Sequence, residues 1–223
     1  DLIMKELKAA VMTIILALSL TACSQGSNGA GASTNQPASS GLQSGAITSQ
    51  TASSSGTPLN SSGGEKKILV AYFSWSGNTQ EMASYIAQQT GGDLLELQPE
   101  TPYPTDYNQC GEVALNERDT NARPAISNLP SSISEYDAVL LGYPIWWHTA
   151  PMIIGTFLES YDLTGIEIYP FTQSASMDTQ QFDNSMAFIR ENAAGAEVYD
   201  GLFARPSNTQ AIDNYLAQNH LAD

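Results

Sequence analysis

The sequence predicts an α/β fold, a parallel β-sheet covered by helices on both faces. Three observations carry this. From Lys66 onward, runs of strand character alternate with runs of helical character, the order that builds βαβ units. Two strand runs, Ile68 to Phe73 and Tyr136 to Tyr143 (YDAVLLGY), are almost continuously apolar. A strand wetted on one face alternates, whereas one covered on both does not. Finally, the first run breaks into Ser74-Trp75-Ser76-Gly77-Asn78-Thr79, with helix-compatible residues Gln80 to Ala87 directly behind it.

The elements follow in order. Strand one is Ile68 to Phe73, and its helix stops at Gly91-Gly92. Asp93 to Leu97 reads as strand two. Pro99 to Asn108 holds three prolines and two tyrosines and is expected to be irregular. A helix is expected over Gln109 to Asn121. Tyr136 to Tyr143 is the third strand, and Pro151 opens a helix with Ile154, Phe157, Leu158 and Tyr161 at core spacing. Strand four is Ile166 to Phe171. The helix Thr179 to Asn192 gathers Phe182, Met186 and Ile189 on one face. Strand five is Ala196 to Phe203. Asn208 to Asn219 closes the domain with Ala211, Ile212, Tyr215 and Leu216 turned inward.

These elements make one domain, residues 65–223, within the usual single-domain size range. Ahead of it, residues 1–22 read as a signal segment. Lys5 and Lys8 form a basic start, and Ala9 to Leu20 form an apolar stretch too short to span a bilayer comfortably. Leu20-Thr21-Ala22-Cys23 resembles a bacterial lipobox, with cleavage before Cys23 and lipid on its sulfur. Residues 23–64 read as a flexible linker. Ser24 to Gly64 is nearly all Ser, Gly, Thr, Ala, Asn, Gln and Pro without a charge, so it cannot bury enough apolar surface to fold. About 40 such residues reach roughly 35 Å as a coil. The expectation is an extracytoplasmic domain held to the bacterial cell membrane by a lipid anchor alone.

The formal charge is −15, with 23 acidic against 8 basic residues. That argues against nucleic acid, which is bound by clustered Lys and Arg. No Cys/His cluster has metal-ligand spacing, so no metal is expected. There are two histidines, His148 and His220, and no G-x-S-x-G elbow, so a hydrolase is disfavoured. With Cys23 lipidated, Cys110 is the one remaining thiol, expected to pack in the second helix.

The turn Ser74–Thr79 has no Lys for a Walker loop, and the G-x-G-x-x-G pattern is missing. It suits a single phosphomonoester held by backbone N–H groups and hydroxyls at a helix N-terminus. It equally suits a plain turn whose hydroxyls cap the helix.

In its setting after a hydrophobic first strand, Ser74-Trp75-Ser76-Gly77-Asn78-Thr79 resembles the FMN-phosphate loop of the flavodoxins. Gly142-Tyr143-Pro144-Ile145-Trp146-Trp147-His148-Thr149-Ala150-Pro151 is similar to the G-Y-P-I-W-W-x-x-x-P segment of secreted and lipoprotein-type bacterial flavodoxins. The resemblance runs from about Lys66 to the C-terminus. It implies a flavodoxin-like three-layer sandwich of the short-chain form, with a five-stranded sheet in the order 2-1-3-4-5 and ligands at the carboxyl ends of its strands. It also implies FMN as cofactor. FMN would touch Ser74 to Thr79, then Pro144, Ile145, Trp146, Trp147 and His148, then Thr172, Gln173, Ser174 and Ala175 in a third loop running to Asp178. That third loop departs from the pattern, because it contains no glycine. Tyr103 and Tyr107 either wall the site or simply pack their loop.

Adjacent indoles cannot both enter one core, so Trp146 and Trp147 suit an apolar planar ligand that gives one of them a partner, or else surface-lid packing or a partner contact. Three functions compete. One is an FMN electron carrier serving a redox partner protein, with no catalytic residue of its own. Another is an FMN-dependent NAD(P)H:quinone or acceptor reductase. The third is a binding module of the same fold without flavin.

Overall fold

The computed structural model of the protein describes residues 66–222. The expected signal segment, Cys23 and the linker lie outside the described residues.

Strand β1 (Ile68–Tyr72) is buried along its whole length. Ile68, Val70 and Tyr72 face one core, while Leu69, Ala71 and Phe73 face the other. This explains why its sequence does not alternate. Helix α1 (Asn78–Thr90) follows and ends at Gly91, a left-handed cap. β2 (Asp93–Glu96), α2 (Tyr107–Asp119), β3 (Ala138–Pro144), α3 (Met152–Glu159), β4 (Glu167–Gln173), α4 (Thr179–Asn192), β5 (Glu197–Val198), β6 (Leu202–Phe203) and α5 (Thr209–Gln218) complete the domain.

The sheet is parallel throughout, in the order β2-β1-β3-β4-β5, and β6 also pairs with β4. One face is covered by α1 and α5 through Met82, Ala83, Ile86, Ile212, Tyr215 and Leu216. The other is covered by α3 and α4 through Ile153, Ile154, Phe157, Leu158 and Ile189. Helix α2 lies beside α3 and buries little of itself, only Cys110 and Ala114. The expected three layers and strand order are those observed.

Three expectations need correction. Strand five is not continuous. β5 pairs Val198 with Ile168, but β6 pairs Leu202 with Phe171, so one extra residue enters the edge strand between them. The cause sits in β4. Ile168 and Thr172 accept from the edge strand through Tyr199 N and Ala204 N. Pro170, midway between them, faces the same way and has no N–H to give. A bulge at Tyr199-Asp200-Gly201 absorbs the missing bond. The second correction is that β4 runs on to Gln173, two residues past the expected end. Thr172 and Gln173 pair with Tyr143 and Pro144 of the likewise extended β3. They are strand residues, not loop residues.

Helix α2 begins at Tyr107, two residues earlier than expected. Asp106 caps it by accepting from Gln109 N at 2.9 Å.

Candidate functional site

Four segments meet at the carboxyl ends of the strands. The first is the turn from β1 to α1. Gly77, at φ +90°, is the helix N-cap. A side chain there would have room but would be held in a left-handed conformation that L-residues disfavour. The Ser74 hydroxyl accepts from Gly77 N and Gln80 N, both at 3.2 Å, so the turn is closed on itself. Thr79 is 1% exposed, and its Oγ1 has no hydrogen-bond partner. A buried hydroxyl without a partner costs about 1–3 kcal/mol. Here it sits in the first turn of α1, where orphan N–H groups and the helix dipole favour an anion.

The second segment is the hairpin after β3. Trp146 and Thr149 exchange both backbone hydrogen bonds, at 2.9 and 3.1 Å. Trp147 and His148 between them have φ +45° and +69°. Positive φ at both central residues matches the type I′ hairpin, which ordinarily recruits Asn-Gly. With Trp and His in these places the tip carries about 1–2 kcal/mol of strain per residue. The two indoles point apart. Trp146 turns inward and meets Phe73 and Tyr103 edge-on at 5.3 and 5.2 Å between centroids. Trp147 turns outward along α2 and is 42% exposed. Its Nε1–H donates to Gly111 O at 2.8 Å.

The third segment begins inside β4. The Thr172 hydroxyl is fully buried and donates to Tyr143 O. Gln173 O accepts from Ile145 N at 3.2 Å, which ties the second segment to the third. Beyond the strand, Ser174 Oγ accepts from Met177 N at 3.0 Å, and Met177 takes a positive φ of 52°. The loop therefore turns tightly without a glycine. Ala175 and Ser176 are exposed.

The fourth segment is the loop after β2 together with the start of α2. Trp75 donates from Nε1 to Pro104 O at 2.9 Å, and its ring lies 6.3 Å from that of Tyr107. Tyr103 packs inward and donates to Glu117 Oε2 at 2.8 Å. Burial pushes both the Tyr103 hydroxyl and the Glu117 carboxyl up. Burial likewise raises the Cys110 thiol, which is 4% exposed, the opposite of the shift that activates a cysteine.

A cleft of about 620 Å³ opens between these parts. Its walls are Trp75, Tyr107, Ile145, Trp146, Trp147 and His148, with a floor from α2 (Cys110, Gly111, Ala114, Leu115) and Gln181 at one edge. The lining is aromatic and apolar, with the carboxylate of Glu112 but no Lys or Arg. This suits a planar ring system. Of the residues expected from sequence, Trp75, Ile145, Trp146, Trp147 and His148 line it. Ser74, Ser76, Gly77, Asn78 and Thr79 form the adjoining turn at the N-terminus of α1. Pro144, Thr172, Gln173, Ser174 and Ala175 do not line the cleft.

The α2 face was not expected from the sequence. Cys110, Gly111, Ala114 and Leu115 stand at helical spacing and are mostly small, a pattern that permits close approach, but their composition is too mixed to flag a face. Among the described residues no group of His, Cys, Asp and Glu could hold a metal ion, and no helix is long and apolar enough to cross a membrane.

Comparison with known proteins agrees with this architecture. Residues 67–218 match the family model described as Flavodoxin. A candidate flavoprotein from Bacteroides eggerthii is 34% identical over 69% of this chain and 97% of its own, with a TM-score of 0.61. A second, from Bacteroides uniformis, is 31% identical over 68% and 98%, also with a TM-score of 0.61. A flavoprotein from Lactobacillus acidophilus, solved in complex with FMN, is 28% identical over 65% and 97%, with a TM-score of 0.55. A search of curated proteins finds no match. With its sheet order, its hydroxyl-bearing first turn and these matches, the chain belongs to the flavodoxin family.

Proposed function

We propose that the domain binds FMN and carries electrons between protein partners. The observation that carries this reading is the buried, unpartnered Thr79 hydroxyl at the N-terminus of α1, beside an aromatic cleft that shares Trp75 with the same turn. A phosphate in the turn would satisfy Thr79 Oγ1 and the first N–H groups of α1 without any cationic side chain. The FMN complex of the Lactobacillus acidophilus relative supports the choice of ligand.

Ser74 to Thr79 would hold the phosphate. Trp75, Tyr107, Trp146 and Trp147 would flank the ring and keep water from it. When bound, the flavin supplies reversible one- and two-electron chemistry. The chain supplies a lining that carries Glu112 and no cation, which disfavours added negative charge and lowers the potential. Trp146 and Thr149 already pair with each other, so a main-chain group at the tip of the hairpin would be the one to hydrogen-bond the ring edge. The lipid anchor at Cys23, the extracytoplasmic location and the redox partner protein belong to the same reading and rest on the sequence alone.

The test is the visible spectrum of the purified protein before and after addition of FMN and desalting. Retained flavin bands with quenched flavin fluorescence are expected. Protein that stays colourless sinks the reading. Steady-state oxidation of NADH or NADPH by the loaded protein then separates a reductase from a carrier. Loss of membrane association in Cys23→Ala checks the anchor.

A further inference from the structure

We propose that Arg118, aimed by Asp119, is a positioning residue that fixes the Trp147 indole as the outer wall of the aromatic cleft. The identity of the ring held against that wall rests on the flavin reading above.

Trp147 and His148 sit at the hairpin tip with positive φ, yet no residue there has a local preference strong enough to hold the turn, as a glycine would. Contacts from elsewhere must do so, and they come from one helix. Arg118 Nη1 donates to Trp147 O at 3.2 Å, and its guanidinium lies 5.7 Å from the Trp147 ring centroid. Two turns earlier along the same face of α2, Gly111 O accepts from the indole Nε1–H. The tip is therefore grasped at its carbonyl and at its ring.

Asp119 completes the device. Arg118 Nε and Nη2 both donate to Asp119 Oδ1, at 2.9 and 2.6 Å. That occupies one edge of the planar fork and leaves Nη1 directed at Trp147. It also offsets the charge, so Arg118 acts through geometry rather than as a free cation. A lysine cannot donate in two fixed directions from a planar fork. A Cβ at Gly111 would meet Trp147 Cζ2 at 4.0 Å, in ordinary contact.

The experiment uses the full chain with ¹⁵N-labelled tryptophan. It follows exchange of the indole N–H groups and titrates FMN into wild type, Arg118→Gln and Arg118→Lys. In Arg118→Gln the Trp147 N–H is expected to exchange about tenfold faster, while that of Trp75, bonded to Pro104 O, is unchanged. The FMN Kd is expected to rise about tenfold, with Arg118→Lys between the two. A matching urea midpoint in all three proteins excludes a general loss of fold. Exchange and Kd within about twofold of wild type in Arg118→Gln would overturn the proposal. So would faster exchange with an unchanged Kd, because the wall would then move without consequence. If wild type itself takes up no FMN, the flavin reading fails by itself. The exchange measurement then decides the clasp, with acceleration upholding it and no change refuting it.

Discussion

The turn after β1 and the hairpin after β3 both need backbone in the left-handed region, and they reach it by opposite means. The turn places Gly77 at φ +90° and closes with its own Ser74 hydroxyl. Every group it needs lies between Ser74 and Gln80. The hairpin places Trp147 and His148 at positive φ without a glycine and depends on Gly111 and Arg118 of α2, far away in sequence. A motif stabilised locally can hold the same small ligand in many proteins. A tip stabilised through tertiary contacts can be tuned by residues that never touch the ligand.

The largest effect should come from a glycine that exists for space rather than for conformation. Gly142, at the base of the hairpin in β3, has the Phe171 ring where its side chain would be; a Cβ there would lie 2.2 Å from Phe171 Cζ. Gly142→Ala should destabilise the domain by about 3 kcal/mol, since the buried ring must move. Urea unfolding checks this, and a loss below about 1 kcal/mol would show that the core yields more readily than its packing implies.

Thr79→Val tests the turn with effects of opposite sign. The unliganded protein should be as stable as wild type or more so by up to about 1 kcal/mol, because an unpartnered buried hydroxyl is removed. FMN should bind about ten- to a hundredfold more weakly, the usual worth of a hydrogen bond to a charged group. Unchanged affinity in calorimetry would detach Thr79 from the phosphate.

Gly77→Ala should cost about 1–2 kcal/mol through backbone strain alone, since nothing lies within contact of a Cβ there. Thermal unfolding measures it. A cost near zero would mean that the turn relaxes and is less fixed than the hairpin.

Glu117 reports on the packing behind Trp146. Burial raises its carboxyl above the ordinary value of 4.5, so the folded state holds that proton more tightly than the unfolded chain does. Its contribution therefore weakens stability as pH rises from 4.5 through the raised value. Glu117→Gln can still accept from Tyr103 and should flatten that decline, raising stability at neutral pH. Urea midpoints across the acid-to-neutral range give the slope, and an unaltered slope would remove Glu117 from the account.

The smallest effect is expected for His148→Gly. The side chain is exposed at φ +69°, and relief of strain should stabilise by about 0.5–1 kcal/mol. A loss instead would reveal a contact that His148 makes through the cleft.

The strands, the phase of the helices and the tight turn after β1 were legible in the chain before any contact was known, because they follow from short-range rules, whereas the strand order came from the family resemblance. Strands buried on both faces lose their alternation, as Ile68 to Phe73 do. Helices keep their apolar residues at helical spacing, as Ile212, Tyr215 and Leu216 do. A glycine and a serine can shape a turn unaided. Other features emerged only when distant segments met. The bulge in the edge strand was set by Pro170 in its neighbour. Thr172 and Gln173 became strand because β3 lengthened beside them. Helix α2 became the floor of the cleft through Cys110, Gly111 and Ala114, residues with no strong pattern of their own. The physical reason is common to all three. Each depends on a partner distant in the chain, and no local preference of the residues involved is large enough to announce it.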